Sequence, residues 1–198
     1  MDLENFYKGT DTDNNGRTLY QIWCFNDVEL EAGHDWVQIL FPLSEKSSCC
    51  PDAPLLTSYY VEIFRTSKRI QRNLFVSFLR FCSFLGLEYD GASLLKAPDY
   101  NDRAKVWQGQ YNHNYLRITR VIGCLYLCGL DTIAQDFYSF LVKIHTDGDA
   151  NFPVMSLAFW EAASKGVMLT PPKKVVIPVE NFDEITDHIF NMGQKKSK

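Results

Sequence analysis

The stretch from Asn112 to Cys128 constrains the fold more than any other part of this 198-residue chain. At 100° per residue, Tyr115, Ile118, Val121, Ile122 and Leu125 fall on one side of a helix. His113, Arg117 and Arg120 lie within about 60° of one another on an adjacent side, and Cys124 continues their line. Gly129 is a natural stop. A helix this apolar must be packed on most of its sides, so its cationic stripe has to be either solvated or supplied with partners.

Helical spacing recurs elsewhere. Thr57 suits an N-cap, and Tyr60, Phe64, Ile70, Leu74, Phe78, Cys82 and Leu85 follow at helical intervals, with a kink expected near Thr66. Thr18–Phe25 and the first half of Val28–Phe41 read as short helices, stopped by Pro42. Further helices are predicted over Asp99–Trp107, Asp131–His145 and Val154–Ser164. Strand-like alternation is confined to Lys174–Val179, and Asn181 is placed to cap a last helix over Phe182–Asn191. The expected fold is all-α: one compact domain of about six or seven helices without bundle symmetry, spanning residues 1–165, followed by a C-terminal extension, 166–198, with a short helix.

Charge and cysteine usage narrow the function. A net charge of −4 with scattered basic residues argues against a nucleic-acid partner. Met1–Phe6 has no apolar core of a signal peptide, and the apolar run Leu74–Leu87 is broken by Arg80, so integral membrane insertion is not expected. Six cysteines without a secreted context read as cytosolic thiols, and a cytoplasmic protein is expected.

Each candidate for chemistry has a structural reading beside it. Asp11, Asp13, Asn15 and Gly16 match the start of a calcium loop, but Ile22 stands where the closing bidentate Glu is needed. A turn that caps the Thr18 helix is the better reading. His34-Asp35 has the form of a hydrolase metal doublet without the further ligands such a centre needs. Cys124 and Cys128 sit one turn apart as buried thiols, and Cys49-Cys50 is an incidental surface doublet. No metal and no cofactor is expected. Trp107, Tyr111 and Tyr115 are core candidates or an aromatic shelf. His34 and Gln38, one turn apart in an apolar segment, need hydrogen-bond partners, either in neighbouring loops or in a pocket shared with His113 and Arg117. Two guanidinium groups one turn apart want an anion between them. Glu62 or Asp131 would make the stripe structural, whereas a ligand carboxylate or phosphate would make it a site.

The octet His113–Arg120, HNYLRITR, resembles the signature of the opioid growth factor receptor conserved domain. His34–Leu43 is similar to the family's HDYIQWLFPL, with Trp36 in place of Tyr and Ile39 in place of Trp. Gly16-Arg17-Thr18-Leu19, Ile22-Trp23 and Pro51–Thr57 resemble the microbial branch, with Cys49-Cys50 where those relatives show Phe-Asn. The matches run in order along residues 5–130 and reach about 165. The resemblance implies receptor-type recognition: the family is named for receptors of the pentapeptide met-enkephalin, found in the nucleus or peripherally at membranes. A non-catalytic domain binding a peptide or protein partner is therefore expected, with His34, Gln38, His113, Arg117 and Arg120 as the ligand-binding candidates. The competing readings are an enzyme acting on an anionic small molecule through His34, His113 and Arg117, and a pure scaffold. An open apolar groove beside Arg117 and Arg120 would favour the binding domain; a small closed polar pocket would favour the enzyme.

Overall fold

In the computed structural model, which describes residues 1–168 apart from 48, 110 and 111, the expected helices form around bulky aromatics. The central element is α8 (Asn114–Leu127), whose buried side chains include Tyr115, Ile118, Val121, Ile122 and Leu125. It packs against α9 (Asp131–Thr146) and α10 (Val154–Ser164), and its outer flank meets α4 (Trp36–Leu40). Burying these faces, at roughly 25 cal/mol per Å² of apolar surface, is what holds so many short helices in place. Trp36, Trp107 and Trp160 are fully buried. Each satisfies its indole N–H, with Trp107 donating to the Leu85 carbonyl and Trp160 to the Tyr115 carbonyl.

The periodic stretch after Thr57 divides into α5 (Ser58–Thr66) and α6 (Lys68–Phe84). The kink expected near Thr66 is a full break, because Ser67 takes an extended conformation and its hydroxyl accepts from the Ile70 N–H to cap α6. Thr66 turns its own hydroxyl back to the Glu62 carbonyl. Ser and Thr compete with the backbone in this way and so favour helix ends. Earlier come α1 (Leu3–Tyr7), α2 (Leu19–Trp23) and α3 (Asp27–Ala32). Thr18 and Asn26 close reciprocal capping boxes with Gln21 and Glu29.

The all-α class holds, with ten helices among the described residues and one addition. The addition is an antiparallel ribbon of β1 (Leu87–Tyr89) and β2 (Leu94–Lys96), pairing Leu87 with Lys96 and Tyr89 with Leu94. Asp90 nucleates its turn by accepting from the Ala92 and Ser93 N–H groups. The short α7 (Tyr100–Trp107) follows. The strand expected over Lys174–Val179 and the helix over Phe182–Asn191 lie outside the described residues. No helix among the described residues is long and apolar enough to cross a membrane.

Candidate functional site

The first third of the chain does not continue as one helix from Val28 to Pro42. It stops at Ala32 and restarts at Trp36. Gly33 makes the break possible: a Cβ there would sit 2.9 Å from the Glu29 carbonyl and 3.0 Å from the Trp36 ring. A side chain there would force the Glu29 carbonyl to shift and the Trp36 ring to give by a few tenths of an ångström. The break strands the last carbonyls of α3, and such orphan acceptors attract cations.

Arg117 fills that role. Its Nη1 donates to the Leu30 carbonyl at 3.1 Å and to Asn114 Oδ1 at 2.9 Å. Its Nη2 donates to the carbonyls of Glu31 at 3.2 Å and Gly33 at 2.7 Å. The guanidinium also lies 5.5 Å from the centre of the Trp36 ring. Its carboxylate partner is Glu31, at 3.6 Å, and not Glu62 or Asp131. Glu62 is exposed, and Asp131 pairs with Arg65. Burial pulls the Arg117 guanidinium below its ordinary pKa, and Glu31 partly offsets this. Asn114, fully buried, completes the network by donating to Glu31 Oε2.

The remaining candidates gather above this clamp. His113 Nε2 is 3.3 Å from Glu31 Oε1, and the His113 and His34 rings meet edge to face at 5.9 Å. Burial, then Arg117, holds the His113 imidazole below its usual pKa. Arg120 donates from Nη1 to the Phe41 carbonyl at 3.2 Å and has no carboxylate within ion-pairing distance among the described residues. Gln38, only 8 % exposed, places Nε2 3.5 Å from the Ser47 hydroxyl and leaves Oε1 without a hydrogen-bond partner among the described residues. Exchanging the two amide ends would let Ser47 donate to the oxygen and would orphan the NH₂ instead. One end of the amide is left over in either orientation.

All five predicted residues, His34, Gln38, His113, Arg117 and Arg120, line one cleft of about 550 Å³ between the 34–47 segment and α8. Its other walls include Val37, Leu43, Leu116 and Met168. Met168 crosses α8 at Gly123, where a Cβ would lie 2.4 Å from its sulfur. Leu116, 64 % exposed, stands on the rim.

The other candidates are engaged elsewhere. Asp13 accepts from the Asn15 and Arg17 N–H groups and pairs with the Arg17 side chain, so the Asp11–Gly16 segment is a turn leading into the α2 cap. Asp35 bonds Arg17 and Asn15. The Cys124 and Cys128 sulfurs lie 3.9 Å apart in the core, and burial pushes the Cys124 thiol well up. Tyr115 is core, its hydroxyl accepting from the Gly109 N–H, while Tyr111 lies outside the described residues. Sequence reasoning missed Glu31 and Asn114. Asn114 stood inside the octet, a helical turn before Arg117, which was the available signal. Glu31 offered none, being 86 residues away from Arg117.

Comparison with known proteins reaches most of this architecture. A family model described as the opioid growth factor receptor conserved region matches residues 5–155. The human opioid growth factor receptor is 30% identical over 128 residues, which is 63% of this chain and 19% of that protein. Opioid growth factor receptor-like protein 1 of Xenopus tropicalis is 32% identical over 105 residues, 52% of this chain and 20% of that protein. Its mouse namesake is 29% identical over 126 residues, covering 61% and 26% respectively. The match thus spans between about a fifth and a quarter of each of these relatives. No solved structure matches the chain.

Proposed function

The chain belongs to the opioid growth factor receptor conserved-region family, and from that premise we propose that it is a non-catalytic binding domain that takes a peptide or protein segment in the cleft between residues 34–47 and α8. The observation that carries this reading is the unequal state of the two arginines. Arg117 is spent: four of its five N–H groups are bonded to carbonyls of the 30–33 turn and to Asn114. Arg120 has no carboxylate partner among the described residues and stands on the wall of a cleft with the exposed Leu116 at its rim.

A pure scaffold would leave no such remainder, because half-buried charges without partners cost stability. The enzyme reading draws on His34, His113 and Arg117. Arg117 is consumed as structure, and His113 faces Glu31 at the edge of the same network. The receptor names of the relatives support recognition rather than turnover.

The test is selection from a random peptide library on the wild-type domain, with Leu116→Glu as the counter-variant. Leu116 is exposed, so that variant should keep the wild-type melting temperature. Peptides that bind wild type and lose at least tenfold in affinity for Leu116→Glu are expected. Selected peptides indifferent to that substitution, or chemically altered on incubation, would overturn the proposal.

A further inference from the structure

We infer that Arg120 is the anion-recognition residue of the cleft, and that the segment it takes presents a carboxylate next to a peptide group and an apolar side chain. The inference rests on the cleft reading above and adds the chemistry of what fills it.

Arg120 is half-buried and, among the described residues, its guanidinium makes one hydrogen bond, to the Phe41 carbonyl. Four of its five N–H groups are left over among the described residues. Desolvation lowers its pKa, and the neighbours that counter this are thiols. Cys124 is no counter-ion, since burial holds it as a neutral thiol. Glu45 lines the same cleft but is exposed and makes no ion pair with Arg120 among the described residues. A cation withdrawn from water without an anion is costly, and a ligand that supplies the anion recovers that cost on binding.

The fork of a guanidinium matches a planar carboxylate with two parallel N–H···O bonds. Exposed Lys46 adds a second positive charge to the wall. Gln38 supplies the second unmet requirement. Its amide, more than nine-tenths buried, lacks a partner at one end among the described residues, and an amide is best satisfied by another amide, which both donates and accepts. Val37, Leu43, Leu116 and Met168 offer an apolar surface beside these groups. A carboxylate, a peptide unit and an apolar side chain occur together in a short polypeptide segment. An inorganic oxyanion has only the first of the three.

The smallest probe with all three features is N-acetyl-leucine, and N-acetyl-leucinamide differs from it only in lacking the charge. Titration of each into the ¹⁵N-labelled protein, following the Arg120 Nε–H and Thr119 amide signals, separates the contributions. N-acetyl-leucine should shift both signals saturably, at least tenfold more tightly than the amide, and more tightly than inorganic phosphate. Arg120→Gln should abolish that preference while leaving the melting temperature unchanged or raised. Equal response to acid and amide, or a preference that survives Arg120→Gln, would overturn the role of Arg120. Phosphate binding more tightly than N-acetyl-leucine would overturn the polypeptide carboxylate. If library-selected peptides bind wild type and Arg120→Gln equally, the inference fails and the cleft stands. If neither peptides nor probes reach the cleft, both fail.

Discussion

Removing the Arg117 side chain tests the clamp most directly. Arg117→Ala leaves the Leu30 carbonyl with one partner, because Trp36 Nε1 also donates to it at 2.8 Å. Asn114 Oδ1 loses its donor inside the core, which costs about 1–3 kcal/mol. The Glu31 and Gly33 carbonyls are only partly buried, so water replaces their partners at roughly 0.5–1 kcal/mol each. Loss of the cation over the Trp36 face adds about 0.5–1 kcal/mol. The Glu31 carboxylate is part-exposed and keeps Asn114, so its share is small. The total is roughly 2.5–6 kcal/mol, centred on the ~3–5 kcal/mol seen when one member of a buried ionic pair is removed. Urea denaturation should show this as a lower midpoint at unchanged slope, and the melting temperature should fall by roughly 6–20 °C for a chain of this size. Arg117→Lys, which keeps the charge but not the fork, should lose about half as much. A loss below about 1 kcal/mol for Arg117→Ala would refute the clamp and return Arg117 to the cleft as a ligand-binding group.

Three further outcomes follow from neighbouring features. His113 has a folded-state pKa below its unfolded value, so its contribution is intact above roughly pH 6.5 and is lost as pH falls through the folded pKa. His113→Gln should flatten that acid-side decline in a pH series of melting curves, and an unchanged slope would count against it. Gly86 has φ +74°, and a Cβ would lie 2.9 Å from the Tyr100 Cα, so Gly86→Ala should cost about 2–5 kcal/mol by denaturant titration; a cost under about 1 kcal/mol would contradict the packing of α7 on that turn. Calorimetric titration with calcium should show no site tighter than about millimolar, because the Asp13 carboxylate is engaged by Arg17 and two backbone N–H groups and the Ile22 side chain offers no oxygen; a micromolar site would refute that assignment.

The long helices were legible because their signals are local. The apolar face of α8, its stop at Gly129 and the Thr57 cap are all carried by neighbouring residues. The break at Gly33 was not legible, since the crowding that favours glycine comes from the Glu29 carbonyl and a tryptophan ring that meet it only in the folded state. The ribbon at 87–96 has strands of three residues, too short for alternation to register, although Asp90-Gly91 offered a turn signal. Polar residues embedded in apolar runs did mark the five that line the cleft. Which arginine is structural and which is left over depends on carbonyls more than eighty residues upstream, and spacing along one helix carries no trace of them.

The span of the Arg117 clamp also orders events during synthesis. Glu31 and Arg117 are 86 residues apart, and closing a loop of that length costs about 4 kcal/mol in chain entropy before any contact rewards it. Until the segment around Arg117 has emerged, the Glu31 and Gly33 carbonyls have only water, and Trp36 lacks the cation that covers its ring. The N-terminal third is therefore not a unit that can mature while the ribosome is still making the rest. A nascent chain stalled before α8 should remain open to proteolysis around residues 26–43, and should gain protection only when the octet that begins at His113 arrives to lock it.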